Sequence, residues 1–333
     1  MFPSHDRGGT ITFADSGYSL DRWLMRTSGH SGAANITQSS TSPDGFQKSL
    51  KVDITTADTS LTGGEYFFID QRIEGNNVHH AAYGNSGAKT MTLSFYVRSN
   101  KTGTYNVHLY NTSTTKQLSR SYTINSADTW ERKALTIPGD TSGGLASGNG
   151  AALRCNWYLA AGTSYTSGSV QSTWSTYNVN NTAPSNVNLL DSTSNEWYLT
   201  GVQLEIGDHA TDFEHRSFAQ EIVLCKRYYQ QFPQNPADAY GPIGVGRIRS
   251  STNAQVILTF PEMRSSPTVA KSGNLRILHA ATAATVNSVS GSHLARSTVF
   301  IEPLVSSGLA QGEGCLLTAD NDSNGKVTLT AEL

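Results

Sequence analysis

The chain has 333 residues, room for two domains at about 150 residues each. Its formal net charge is −2 with only 15% charged residues, and neither sign gathers into a run. That argues against nucleic acid and against an anionic membrane surface as partners. The opening Met1–Gly9 segment lacks the basic and apolar regions of a secretory signal, and no stretch reaches the ~18 apolar residues of a membrane span. The expectation is a soluble chain made in a cytosol.

Glycine (30 residues), with abundant Ser, Thr and Asn, makes the composition poor in helix formers and rich in strand and turn formers. From Ile11 to about Ile206, short runs alternate apolar and polar residues between turn residues, as antiparallel strands require. Ser49–Ile54 places Leu50, Val52 and Ile54 on one face, and Thr90–Val97 places Met91, Leu93, Phe95 and Val97 on one face. Further strands are expected at Tyr105–Tyr110, Ser121–Ile124, Trp130–Ile137, Ala152–Ala160 and Trp197–Ile206. This train reads as an all-β antiparallel sandwich or jelly roll.

Between Ala134 and Asn195 only Asp140, Arg154 and Asp191 are charged, but Trp157, Tyr158, Tyr165, Trp174 and Tyr177 punctuate the stretch, so ordered loops packed on a sheet are expected. The period then changes to 3.6: Phe218, Ile222, Cys225 and Tyr229 share a face, with acids early and Lys226 and Arg227 late. This predicts one helix over 217–231, ended by Pro233 and Pro236. From Ile243 strands resume, notably Val256–Phe260, Val299–Val305, Gly314–Thr318 and Lys326–Leu333. The expected organisation is a jelly-roll domain over 1–207, a linking helix and linker over 208–236, and a small β domain over 237–333.

The three cysteines, Cys155, Cys225 and Cys315, form no close pair and read as small buried hydrophobes. Pro138–Gly144 superficially looks like a serine-protease nucleophile loop, but Ser142 is out of register with an oxyanion-hole amide, and the reading is a turn. Asp320–Gly325 matches half of an EF-hand loop; with Ala331 at position 12 it reads as a hairpin turn, a weak Ca²⁺ site at Asp320–Asn324 being the alternative. His79 and His80 are adjacent, which suits zinc poorly, and no metal or other cofactor is expected. No pair of acids stands out for glycoside hydrolysis.

Aromatic residues are the most suggestive feature, because sugars lay their C–H faces on such rings. Trp130, Trp157 and Trp197 fall in strand-like runs and read as core. Trp174 and Tyr177, among Ser, Thr and Asn, are the expected exposed ligand contacts, with Tyr165, His79, His80 and Tyr83 as further candidates.

An ordered series of segments carries a resemblance: Tyr18–Trp23, Ile69–Gly75, Met91–Arg98, Asp128–Lys133, Trp197–Gly207, Ala210–Ser217 and Leu224–Tyr229. Over about Tyr18 to Phe232 the chain resembles the jelly-roll, carbohydrate-binding-module-like domain of tail-fibre and other virion structural proteins of tailed bacteriophages. The resemblance implies a non-enzymatic sandwich on a virion, a homotrimer among other virion proteins, that touches host-surface glycans. Alternatives are a head decoration or tail and baseplate connector that binds no sugar, and a polysaccharide-degrading enzyme.

Overall fold

The computed structural model describes residues 11–12, 17–234, 238–280 and 282–333; the Met1–Gly9 segment and Pro236 lie outside them. The chain divides into two compact units, Met1–Glu221 with Leu333, and Ile222–Glu332. The strands of the first unit are β1 (Ile11–Thr12), β2 (Gly17–Leu20), β3 (Trp23–Ser28), β4 (Ala33–Ser39), β5 (Ser49–Thr56), β6 (Tyr66–Glu74) and β7 (Met91–Ser99). They continue with β8 (Gly103–Asn111), β9 (Lys116–Ile124), β10 (Glu131–Ile137), β11 (Ala151–Ala161), β12 (Ser175–Thr176) and β13 (Glu196–Ile206). Every strand foreseen in this unit is present, and β1, β2, β3, β4, β6 and β12 join them.

The strands form a six-stranded antiparallel sheet, β1-β4-β5-β13-β7-β10, and a seven-stranded one, β12-β9-β8-β11-β6-β3-β2. Alternation sends one face of each strand inward: Leu50, Val52, Ile54, Leu93, Phe95 and Leu199 from the first sheet, and Phe67, Ile69, Val107, Leu109, Leu153 and Trp157 from the second, join one buried cluster. Phe95 meets Trp157 at 5.9 Å and Tyr122 at 5.1 Å between ring centroids, which packs sheet on sheet as a sandwich. Each fully buried large apolar side chain contributes about 1.5–3 kcal/mol. Trp157 and Trp197 are core as expected, whereas Trp130 is only half-buried against Tyr198.

The low-charge stretch folds back over the outer face of the second sheet. Asn106 donates to the Pro184 carbonyl, Ser119 to those of Asn181 and Thr182, and Gln117 to that of Asn178. Polar side chains on β8 and β9 thus satisfy the loop's backbone, so a segment without a ladder of its own is held down.

The predicted helix over 217–231 is shorter: α1 runs Phe218–Lys226, and the boundary between the two units falls within it. Ser217 and Gln220 form a capping box at its start. Tyr229 belongs instead to β14 (Tyr229–Phe232), which pairs with β22 (Lys326–Thr330). Gln230 donates from its side chain to the Lys226 and Pro261 carbonyls, satisfying a helix-end acceptor just where the chain turns to strand. Phe218 is exposed and Ile222 half-buried, so of the expected apolar stripe on the helix only Cys225 is buried.

In the second unit, β15 (Pro242–Ile248), β16 (Ala254–Thr259), β18 (Leu275–His279), β19 (Thr282–Ser292), β20 (Thr298–Val305) and β21 (Gly314–Ala319) close a six-stranded barrel; β17 (Thr268–Ser272) pairs with β22 in a separate sheet. Ile248, Val256, Leu258, Ile277, Ile301 and Leu317 fill its core. All three cysteines are free and buried.

Candidate functional site

The outer face of the seven-stranded sheet carries a cleft of about 360 Å³ lined by Arg26, Tyr66, Phe68, His108, Tyr110, Arg154, Asn156, Tyr158, Tyr165 and Tyr177. Strand register builds it. Arg26 on β3 stands opposite Phe68 on β6, and Phe68 opposite Tyr158 on β11. One row along, Asp70, Asn156 and His108 are successive cross-strand partners; in the next, Arg72, Arg154 and Tyr110 are. Because side chains alternate along each strand, these residues face outward while Phe67, Ile69, Cys155, Trp157, Val107 and Leu109 face the core.

The rings form a continuous series. Tyr165 meets Tyr66 at 5.3 Å, Tyr66 stacks on Phe68 at 5.3 Å, and Phe68 meets Tyr158 at 4.8 Å. His108 then meets Tyr158 at 6.2 Å and Tyr177 at 6.3 Å, and Tyr177 meets Tyr110 at 5.8 Å. Phe68, Tyr158 and His108 are buried and form the floor; Tyr177, 45% exposed, stands at the rim. Tyr165 comes from the short helical turn Thr163–Thr166, and Tyr177 follows β12.

The polar groups are fixed by their surroundings. His108 lies with Nε2 3.2 Å from Gln117 Oε1 and Nδ1 3.2 Å from Asn156 Nδ2, so Nε2–H donates and Nδ1 accepts. Burial pushes its pKa down to about 3, which keeps the ring neutral. Burial likewise raises the Tyr158, Tyr165 and Tyr177 phenols, so the cleft presents neutral hydroxyls. Asp70, fully buried, accepts on Oδ2 from Arg72 Nε (3.0 Å), Arg154 Nε (3.1 Å) and Arg154 Nη2 (2.8 Å). Asn156 Oδ1 is buried beside them without a hydrogen-bond partner.

Of the residues singled out from sequence, Tyr165 and Tyr177 come together in this cleft. Trp174 does not: it is buried, its Nε1 donating to the Pro138 carbonyl at 2.8 Å. Tyr83 is buried beside it, edge-on at 5.8 Å, and donates to the same carbonyl at 3.2 Å. A ring surrounded by polar residues in sequence is thus a core ring in space, because the Ser/Thr/Asn-rich loop turns it inward. His79 and His80 sit exposed on the turn His79–Ala81, and neither lines the cleft.

Sequence reasoning passed over Tyr66, Phe68, Tyr110, His108 and Asn156. The available signal was period-two alternation: Tyr66, Phe68, Asp70 and Arg72 interleave with Phe67 and Ile69, and Arg154, Asn156 and Tyr158 interleave with Cys155 and Trp157.

The remaining motifs resolve as structure. Ser142 donates from its hydroxyl to Asp140, which also receives Lys116, so Pro138–Gly144 is a braced turn. Asp322 accepts the backbone N–H of Asn274 and of Asn324, and Asp320 pairs with Arg276, so Asp320–Gly325 is a braced turn. It is not the expected hairpin, because β21 pairs with β15 and β18 in the barrel while β22 pairs with β14 and β17 in the separate sheet. Two further concavities, of about 340 Å³ along His279–Gly308 and about 430 Å³ along Val202–Arg216, lack a comparable ring cluster.

The described residues thus define an antiparallel β-sandwich with an aromatic cleft on one outer sheet face. No protein-family model matches the chain, and no curated protein does. Among solved structures the chain is similar to a family 11 carbohydrate-binding module from Clostridium thermocellum in complex with a β-1,3-1,4-mixed-linked tetrasaccharide, at 13% identity over 61% of this chain and 98% of that one, TM-score 0.32. It is similar to the CBM22-1 xylan-binding domain of Paenibacillus barcinonensis Xyn10C at 8% identity over 61% and 97%, TM-score 0.26. It is also similar to the enzymatically active domain of bacteriophage CBA120 tailspike protein 4, at 13% identity and TM-score 0.31; the match covers 56% of this chain and 20% of the tailspike chain.

Proposed function

We propose that the first unit is a saccharide-binding module and that the aromatic cleft is its binding site. The single observation carrying this reading is the unbroken series of rings from Tyr165 to Tyr110, open at Tyr177, with Asn156 and two arginines set among them. A pyranose presents C–H groups on its faces and hydroxyls at its edges, so it asks for flat apolar rings with donors and acceptors beside them. The volume of about 360 Å³ suits one to a few sugar rings.

Binding without turnover is the form that fits the lining. Glycoside hydrolysis uses two carboxyl groups facing the scissile bond. The cleft's ten lining residues include no Asp or Glu, and the nearby Asp70 is engaged by two arginines.

The finer reading follows the family resemblance: a tail-fibre or receptor-binding protein on a bacteriophage virion, a homotrimer contacting other virion proteins and host-surface glycans. Weak single sites would gain strength by repetition on the particle. The test is binding of the purified chain to host cells and to a glycan array, with mass photometry alongside. Glycan-dependent cell binding by a species three times 35.8 kDa supports the reading; a monomer refutes the trimer, and absence of any glycan binding refutes the module.

A further inference from the structure

We infer that the saccharide bound in this cleft is acidic, with a carboxylate seated against Arg26. The inference rests on the saccharide-binding reading above and adds its ligand class.

Two guanidiniums, Arg72 and Arg154, engage the Asp70 carboxylate, and a third, Arg26, joins Arg154 in the lining of the cleft. Arg72 and Arg154 converge on the same oxygen, Asp70 Oδ2, and Arg72 also donates to the Leu333 carbonyl. Both are accounted for within the protein. Arg26 is not: it lines the cleft opposite Phe68, makes no ion pair or hydrogen bond among the described residues, and its Nε is buried without a partner. Burial and the neighbouring Arg72 and Arg154 push its pKa down, Asp70 and Tyr66 opposing them in part, and an arginine stays protonated throughout the physiological range.

A half-buried guanidinium without a hydrogen-bond partner is unfavourable unless an anion or acceptor reaches it, and the nearby Asp70 carboxylate is engaged by Arg72 and Arg154. Arg26 lines the cleft, so a ligand held there is placed to supply that anion. A carboxylate on a pyranose, as in a uronic acid, matches the planar fork of a guanidinium in two parallel hydrogen bonds. Its ring can then lie on Phe68 and Tyr66, the aromatic pair that begins opposite Arg26. The attraction is local, since the whole chain carries a formal charge of −2 and offers no general pull on polyanions.

The test is a panel of neutral, carboxylated and sulfated oligosaccharides titrated into the full chain, with Arg26→Gln and Arg26→Lys variants checked for folding by thermal melt. The expected result is carboxylated members bound at least tenfold tighter than neutral ones, that gap collapsing to within twofold in Arg26→Gln and only partly retained in Arg26→Lys, which keeps the charge and loses the fork. Equal binding of neutral and carboxylated members, or a preference for sulfated ones, overturns the carboxylate assignment and leaves the saccharide cleft standing. A carboxylate preference that survives Arg26→Gln overturns the role of Arg26. No binding to any member overturns the cleft reading itself.

Discussion

The side-chain amide of Asn156 reaches Nδ1 of His108 at 3.2 Å across neighbouring strands, and both residues are buried. An imidazole that accepts at Nδ1 and donates at Nε2 is neutral, and protonating it would break the contact with Asn156. His108 is therefore a shape and polarity element of the cleft, not a proton carrier.

The pH dependence follows from its sign. The folded pKa of about 3 lies below the ordinary imidazole value of 6.5, so between those limits the unfolded chain binds a proton that the folded chain does not. The stabilisation is complete above about pH 6.5 and is lost as pH falls toward 3. Urea melts between pH 7 and pH 5 should show declining stability that flattens in His108→Gln; an unchanged slope in the variant would refute the assignment. Glu131, held down to about 2 by Lys133 and the N–H groups of Ser126 and Asn125, contributes its own loss only at lower pH.

Tyr177 and Tyr158 should separate binding from folding. Tyr177→Ala removes an exposed rim ring and should weaken saccharide binding about tenfold, near 1.4 kcal/mol, with stability within about 0.5–1 kcal/mol of the parent. Tyr158→Ala removes a buried floor ring in contact with Phe68 and His108 and should cost about 3–5 kcal/mol of stability. Calorimetric titration with paired denaturation curves checks both. Full binding by Tyr177→Ala would remove that ring from the site.

Trp174 offers a control inside the same polar stretch. Trp174→Ala should destabilise by about 3–5 kcal/mol through the cavity it leaves. Trp174→Phe, which deletes the Nε1–H bond to Pro138, should cost about 1 kcal/mol, because Tyr83 still donates to that carbonyl. Neither change should alter saccharide affinity in the folded protein, and a tenfold loss in Trp174→Phe would return this ring to the candidate site.

Gly162 places Tyr165. It precedes the Thr163–Thr166 turn, and a Cβ there would lie 1.8 Å from the Thr62 carbonyl oxygen. Gly162→Ala should shift the turn and with it Tyr165, lowering affinity several-fold at a stability cost of about 1–3 kcal/mol. Chemical-shift changes confined to residues near 162–166 and the adjoining cleft are the expected NMR signature; an unperturbed Tyr165 would refute it.

Much of the fold was legible in the amino-acid order. Period-two alternation located β5, β7, β8, β10, β11 and β13 to within a residue or two, because an apolar face on a strand has one common use, burial. The helix was overextended for a reason of the same kind. Spacing that suits a helical stripe at Tyr229 cannot reveal that β22, about 100 residues later, supplies a ladder to 229–232. Long-range pairing outweighed local periodicity there.

Alternation along the chain determined by itself that this is an all-β sandwich with braced loops, since a two-residue repeat dictates which side chains share a face. Which outward faces would meet, and which rings would stay open, was decided only by tertiary structure. Cross-strand register lines up Arg26, Phe68 and Tyr158, and a folded-back loop hides Trp174 while presenting Tyr177. Register joins residues more than a hundred positions apart, and nothing local in the chain encodes it.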